Sequence, residues 1–527
     1  MSAWSSIPSK TGNSLRLFPA LLFRPATCFS LRAFFLPCLL LSALVLTACT
    51  APADGTLRIG LASAPVTLDP RFATDATSSR VNRLLYARLV EFDDHQLPVP
   101  GLAHWQVLSP THYRFTLDGP IGAEGRRFHN GRHLTARDVK ATYEAVLNPA
   151  NGSPHRATLA LISRITTPDD NTVDFFLSKA DLLFPGYLVI GILPADEIAA
   201  GHPFNAKPIG SGPFRFIGWP EEGRLQLQRR SDQQRISFIR VSDATVRVLK
   251  LLRGEVDMLQ NDLSPELVVF LQHKKNITVT KARGSNFTYL GFNLDDAVAG
   301  QWDVRRAIAL AIDRPAIIRY VMGGAARPAS ALLPPEHWAG NPHLQAIPYD
   351  PATARALLAK HGYGPAHPLK ITYKTSTNAF RVRLATVLQS QLKAVGIDVD
   401  LRSYDWGTFY GDIKAGNFQM FSLSWVGVKT PDIFRYVFAS DSVPPNGANR
   451  GRFHDQAVDR LIAEAGDATT LESQAAAYQK LQQRLLETLP YVPLWYEDHV
   501  FVARQGITGY QLSLDGNYDG LIKVRDE

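Results

Sequence analysis

"PGLAHWQVLSPTHYRFTL", residues 100–117, is followed nine residues later by "RFHNGRHLTARDVKATYE", residues 127–144, and the hydrophobic period changes between the two. In the first stretch Tyr113, Phe115 and Leu117 alternate with polar residues, the period-two pattern of a strand with one buried face. In the second, Val139, Tyr143 and Val146 fall on one face of a helix. Thr135 is placed as its N-cap, and Asp138, three residues on, can reach back to the cap's backbone.

The same change of period recurs along the chain. "TLRIGLA" (56–62) sets Leu57, Ile59 and Leu61 on one strand face. "DPATARALLAKHGY" (350–363) reads as a helix with Asp350 as cap, Pro351 in its first turn and Gly362 just past its end. "AFRVRLATVLQSQLKAVG" (379–396) is another, closed by Gly396 and followed by the strand-like "IDVDLRSY" (397–404). Strands alternating with helices predict an α/β fold. No internal repeat or low-complexity stretch is present, and 527 residues suggest about three domains. Pro/Gly composition puts the best breaks at "NAKPIGSGPF" (205–214), "KARGSNF" (281–287) and "ETLPYVPLW" (487–495).

Hydrophobic residues make up 45% and charged residues 20%, the balance of a folded globular chain. Of the net charge of +8, Lys10, Arg16, Arg24 and Arg32 supply four positives before residue 49, with no acid among them. The remaining 479 residues carry only +4, and no basic run interleaves with aromatics, so nothing points to nucleic acid.

All three cysteines, Cys28, Cys38 and Cys49, lie within the first 49 residues. Upstream of the last, Ala33–Ala48 run 16 residues without a charge. That is short of the roughly 20 a spanning helix needs and right for a secretory segment. "LTAC" (46–49) matches a bacterial lipobox, so residues 1–48 are expected to be a signal peptide and Cys49 the lipidated first residue of a short tail, 49–55. The body is then free of cysteine, without disulfides or thiolate metal ligands. A membrane-anchored, periplasm-facing protein is expected; Thr50, which is not an aspartate, leaves the choice of membrane open.

Catalytic patterns are missing. There is no G-x-x-x-x-G-K-[ST], no H-E-x-x-H and no G-x-S-x-G. Ser211, in "IGSGP", reads as part of a tight turn rather than a nucleophile. His337 and His343, or His361 and His367, lie among Pro and Gly and read as surface-loop residues rather than ligand pairs. Neither cofactor nor metal is expected. Aromatics concentrate in apparent loops: "SYDWGTFYGD" (403–412), "SLSWVGVKTPDIFRYVF" (422–438) and "YVPLWYEDH" (491–499). Most should pack between elements, and some can wall a concave site.

Seven stretches in order resemble the bacterial extracellular solute-binding proteins of family 5, which include the oligopeptide and dipeptide receptors of ABC importers. They are "VTLDP" (66–70), the 100–144 block with its aromatic-x-Asn-Gly turn, "PIGSGPFRF" (208–216), "FNLDDAVAGQWDVRRAIALAIDR" (292–314), "YDPATARALLAKHGY" (349–363), "QLKAVGIDVDLRSYDW" (391–406) and "LPYVPLWY" (489–496). The resemblance implies a periplasmic-binding-protein-like α/β fold of two lobes with a hinge, an extra inserted domain and a ligand cleft between the lobes. A first, discontinuous domain would take 56–90, 208–285 and 495–527, an inserted second 91–207, and a third 286–494. Crossings near 285 and 495 would serve as hinges. It further implies a monomeric, non-enzymatic receptor that passes a peptide or peptide-like solute to separate permease and ATPase subunits.

The resemblance assigns the ligand site to Thr74, Asp75, Tyr289, Trp425, Val428, Lys429 and Asp432. In peptide receptors of the family a tryptophan is followed three residues later by an aspartate that holds the ligand's ammonium. Here Trp425 is followed by Val428. Asp432 is a substitute acid, and Lys429 either meets an anionic ligand group or is a solvated surface charge. A solute without a free amine is therefore the competing ligand. A signalling receptor and a secreted hydrolase are the other readings, the hydrolase least supported because the motifs are missing.

Overall fold

The computed structural model describes residues 55–119 and 126–527. The predicted signal peptide, the lipobox and all three cysteines lie outside the described residues. Residues 55–527 form one compact unit.

The opening stretch folds as its periods dictate. Strands Ala103–Ser109 and His112–Leu117 pair antiparallel, and Thr172–Leu177 and Ile162–Thr166 complete a four-stranded sheet. Tyr113, Phe115 and Leu117 are buried on one face of it. Helix Ala136–Leu147 lays Val139, Tyr143 and Val146 into the same core, with Tyr143 edge-on to Phe175 at 5.5 Å. The cap forms as spaced: Asp138 Oδ2 accepts from Thr135 N at 2.8 Å, while its Oδ1 accepts from Ala195 N at 2.8 Å.

Two of the diagnostic turns meet in space. His129 N donates to Gly210 O at 2.7 Å, and the His129 ring nitrogen Nε2 lies 3.0 Å from Gly212 O. Gly212 N in turn donates to Leu85 O at 2.8 Å. Burial, with Arg230 and Arg215 nearby, pushes His129 down to about 4, so the ring is neutral and donates to the carbonyl.

An 11-stranded sheet is built around two long antiparallel strands, Ile277–Phe292 and Tyr491–Arg504. On one flank follow Met420–Trp425, Leu369–Ser376 and Ile397–Tyr404. On the other follow Met258–Gln260, Leu57–Leu61, Arg235–Arg240, Arg224–Arg229 and Phe214–Glu221. Both flanks mix parallel and antiparallel neighbours. Helices Pro351–Ala359 and Ala379–Lys393 start on the Asp350 and Asn378 side chains, and Gly362 and Gly396 take positive φ just past their ends.

Two expected breaks are not loops. "KARGSNF" lies inside Ile277–Phe292, and most of "ETLPYVPLW" lies inside Tyr491–Arg504. The ladder shifts register between Ala282 and Asn286 and again between Thr288 and Tyr289. A Cβ on Gly284 would sit 2.2 Å from Glu497 O. The glycine there serves a bulge and a close backbone approach rather than a turn, which composition alone does not distinguish.

The arginines of "WDVRRAIALAIDR" fasten this sheet to its helices. Arg314 is fully buried and donates to the carbonyls of Pro493, Ala309, Ile312 and Ile347, at 2.9 to 3.3 Å. Arg305 donates to Leu489 O at 2.8 Å and Thr488 O at 3.0 Å. Burial without a carboxylate lowers both, Arg314 to about 9 and Arg305 to about 10.

Candidate ligand site

The site grows from the end of one strand. Met420–Trp425 runs antiparallel to Ile277–Phe292, which sets Leu423 opposite Tyr289 and Trp425 opposite Phe287. After Trp425 the chain turns through Gly427, at φ +68°, and enters helix Ile433–Phe438. Val428, Lys429, Thr430 and Asp432 ride on this loop.

Val428 is half-buried against the apolar cluster that holds Phe434 and Tyr478. Lys429 is not a solvated surface charge. Its Nζ lies 2.5 Å from Asp515 Oδ2 and 5.0 Å from the centroid of the Phe92 ring. Asp515 is 9% exposed and also accepts from Ser513 Oγ at 2.9 Å and Asn517 N at 3.1 Å. Burial pushes its carboxyl up, but Lys429 and Arg83 outweigh that and hold it well below the usual carboxylate range. Arg83 is itself paired, to Asp519 at 2.6 Å and Glu91 at 2.8 Å.

The loop touches the region of residues 181–187 as well. A Cβ on Gly186 would lie 3.0 Å from Thr430 Cγ2. Thr430 Oγ1 donates to Asp432 Oδ1, and burial together with Asp181 pushes the Asp432 carboxyl up to about 6. Burial also raises Asp181, which accepts from Tyr187 OH at 3.2 Å.

His337 corrects the surface-loop expectation. It is 3% exposed, with Nε2 2.9 Å from Lys429 O and Nδ1 accepting from Ala339 N at 3.0 Å. Burial pushes it down to about 4, so it is a neutral ring that fixes the backbone of the Lys429 loop. Pro and Gly neighbours had suggested exposure, but they shape a buried turn here. His343 and His361 are exposed as expected.

The aromatics are on regular elements rather than in loops. Phe409 and Tyr410 belong to helix Trp406–Ala415, Phe434 and Tyr436 to helix Ile433–Phe438, and Trp495 and Tyr496 to Tyr491–Arg504. Phe409, Phe434, Trp495 and Tyr496 are core residues, as packing predicted. Tyr289 is fully buried and stacks on Tyr491 at 3.9 Å.

Tyr289 and Trp425 are brought together by a residue that sequence reasoning missed. The Arg450 guanidinium lies 5.1 Å from the Trp425 ring centroid, and its Nη1 donates to Tyr289 OH at 3.4 Å. Asp515 was missed too, as was the part-buried pair in which Arg381 grips both oxygens of Glu497 at 2.6 and 3.1 Å. Glu497 also accepts from Thr288 Oγ1 at 2.8 Å. None has a local signal: "NGANRGRF" and "SLDGNYDG" read as ordinary turn sequence.

Thr74 and Asp75 stand apart from these groups. Thr74 is exposed, and Asp75 caps helix Ala76–Leu85 by accepting from Ser78 N at 2.9 Å. Among the described residues, no hydrogen bond, ion pair or ring contact joins either to Trp425, Lys429 or Asp432. No group of side chains suited to a metal ion is present among them, and no helix among them is long and apolar enough to cross a membrane.

The chain is similar to proteins of known role over nearly its whole length. Di/tripeptide-binding protein 2 of Pseudomonas aeruginosa is 28% identical, with 90% of this chain and 96% of that protein covered. The Helicobacter pylori periplasmic binding protein DppA, solved with the peptide STSA, superposes with a TM-score of 0.75 at 24% identity, covering 90% of this chain and 98% of that one. NikZ of Campylobacter jejuni, solved with Ni(L-His), gives a TM-score of 0.76 at 23% identity, covering 89% and 99%. The profile of the bacterial extracellular solute-binding proteins, family 5 Middle, matches residues 98–445. That profile spans well over half of the chain: the chain belongs to the family 5 bacterial extracellular solute-binding proteins, receptors rather than enzymes.

Proposed function

We propose that this protein is the substrate-binding lipoprotein of an ABC importer, taking up a peptide or peptide-like solute and delivering it to a membrane permease. Lipid on Cys49 would anchor it facing the periplasm, and the body would act as a monomer. In this reading 56–90, 208–285 and 495–527 would form one lobe, 286–494 the other, and 91–207 an insertion. The observation that carries the reading is the Lys429–Asp515 pair, which joins the Trp425 loop to the C-terminal segment; in the proposed division these belong to opposite lobes. A loop latched across a cleft is what a receptor that closes on its ligand requires. Relatives that bind di- and tripeptides support the ligand class.

In place of the absent acid at Val428, Asp432 holds the ligand's ammonium. Its carboxyl sits at about 6, and ammonium capture needs the ionised form. Affinity for a dipeptide such as Ala-Phe should therefore fall as pH drops below about 6, by up to roughly tenfold per unit, and Asp432→Asn should flatten that dependence. Titration calorimetry between about pH 5 and 7.5 reads it; a flat profile in the wild type would remove Asp432 from the ligand.

Mass spectrometry of the full protein, purified from bacterial membranes without denaturation, tests the whole reading. It should show a chain starting at diacylated Cys49 and carrying adducts of peptide mass that are lost on unfolding. An unlipidated chain would refute the anchor, and a single non-peptide adduct would refute the ligand class.

A further inference from the structure

Arg450 is 8% exposed and has no carboxylate partner among the described residues. Among the described residues its side-chain hydrogen bonds run to phenol oxygens, Tyr289 OH at 3.4 Å and Tyr410 OH at 3.1 Å. Arg314 and Arg305, also buried without a carboxylate, each donate to several backbone carbonyls, and the part-buried Arg381 pairs with Glu497. A buried guanidinium that lacks an anion carries an uncompensated desolvation cost.

The surroundings offer donors and no acid. The buried Tyr491 hydroxyl lies within hydrogen-bonding reach of Tyr289 and of the Trp425 indole. The rings of Trp425 and Tyr410 lie 5.1 and 5.3 Å from the guanidinium carbon, which holds the planar fork between aromatic faces. Outside them stand Trp406, 58% exposed and stacked on Tyr410 at 5.4 Å, and Tyr436, 49% exposed and edge-on to Trp425 at 6.4 Å. A guanidinium fork beside these aromatic rings suits a carboxylate attached to an apolar or aromatic group.

We propose that Arg450, with Trp425 and Tyr289, forms the subsite that receives the ligand's carboxylate, and that Trp406 and Tyr436 flank the group attached to it. The inference rests on the solute-receptor reading and names what that receptor recognises. It adds a second charged contact to the one assigned to Asp432: the ligand's anion, met by Arg450.

Calorimetry on the mature chain can separate the two ideas, with phenylacetate and phenylacetamide as probes, then Ala-Phe and Ala-Phe amide. The acids should bind saturably and the amides at least tenfold more weakly. Arg450→Gln should weaken the acids roughly ten- to hundredfold and leave the amides unchanged, with Arg450→Lys between, since lysine keeps the charge but not the fork. Unchanged thermal melting of each variant shows that it is folded. Phenylacetate binding without either dipeptide would support the subsite and overturn the peptide reading. Equal binding of Ala-Phe and its amide, in wild type and Arg450→Gln alike, would overturn the subsite and leave the peptide reading standing. Failure of both carboxylates to bind the wild type would overturn the subsite as well.

Discussion

Gly210→Ala is expected to yield little or no folded protein, with a loss of more than about 4 kcal/mol if it folds at all. A Cβ there would lie 1.8 Å from Leu85 O and 2.7 Å from Leu85 C, both backbone atoms at the end of helix Ala76–Leu85. Nothing flexible can give way. The turn could move only by releasing the bonds His129 N to Gly210 O and Gly212 N to Leu85 O. The control is Gly411, mid-helix in Trp406–Ala415 with no neighbour within 4 Å of an added Cβ. Gly411→Ala should stabilise by about 0.5–1 kcal/mol through helix propensity. Urea denaturation of both variants decides the matter. Wild-type stability in Gly210→Ala would mean that the two turns do not dock as described.

The second large effect is expected from Lys429→Met, at about 2–4 kcal/mol. Breaking one side of a buried ion pair strands the other charge, which typically costs about 3–5 kcal/mol. The lysine side chain is 21% exposed and Asp515 keeps donors from Ser513 and Asn517, which lowers the figure. The pH dependence carries a definite sign. Because the folded Asp515 carboxyl is held below its ordinary value, its contribution is fully present at neutral pH. It is lost as pH falls below about 4 and through the folded value. Lys429→Met should blunt this acid sensitivity, and the cycle with Asp515→Asn should show coupling of more than about 1 kcal/mol. A change below about 0.5 kcal/mol, with no coupling, would exclude the pair as a latch.

What the amino-acid order determined by itself was local. The Thr135–Asp138 cap, the Asp350 start, and the ends at Gly362 and Gly396 all depend on residues within a few positions of each other. The strand faces of Leu57–Leu61 and Tyr113–Leu117 follow from side-chain alternation alone. Trp425 was singled out through resemblance, and the turn at Ser211 was legible from its glycine neighbours. Only the tertiary structure decided which charges meet. Lys429 finds Asp515, Arg381 finds Glu497, and Arg450 finds no acid among the described residues. It also decided that glycine in "KARGSNF" bends a paired strand and that His337 is buried beneath the Lys429 loop. Capping and periodicity are set by geometry within one or two turns of chain, whereas the ion pairs and burial that shape the site depend on segments far apart in sequence. The pairing of those segments comes from packing the whole sheet.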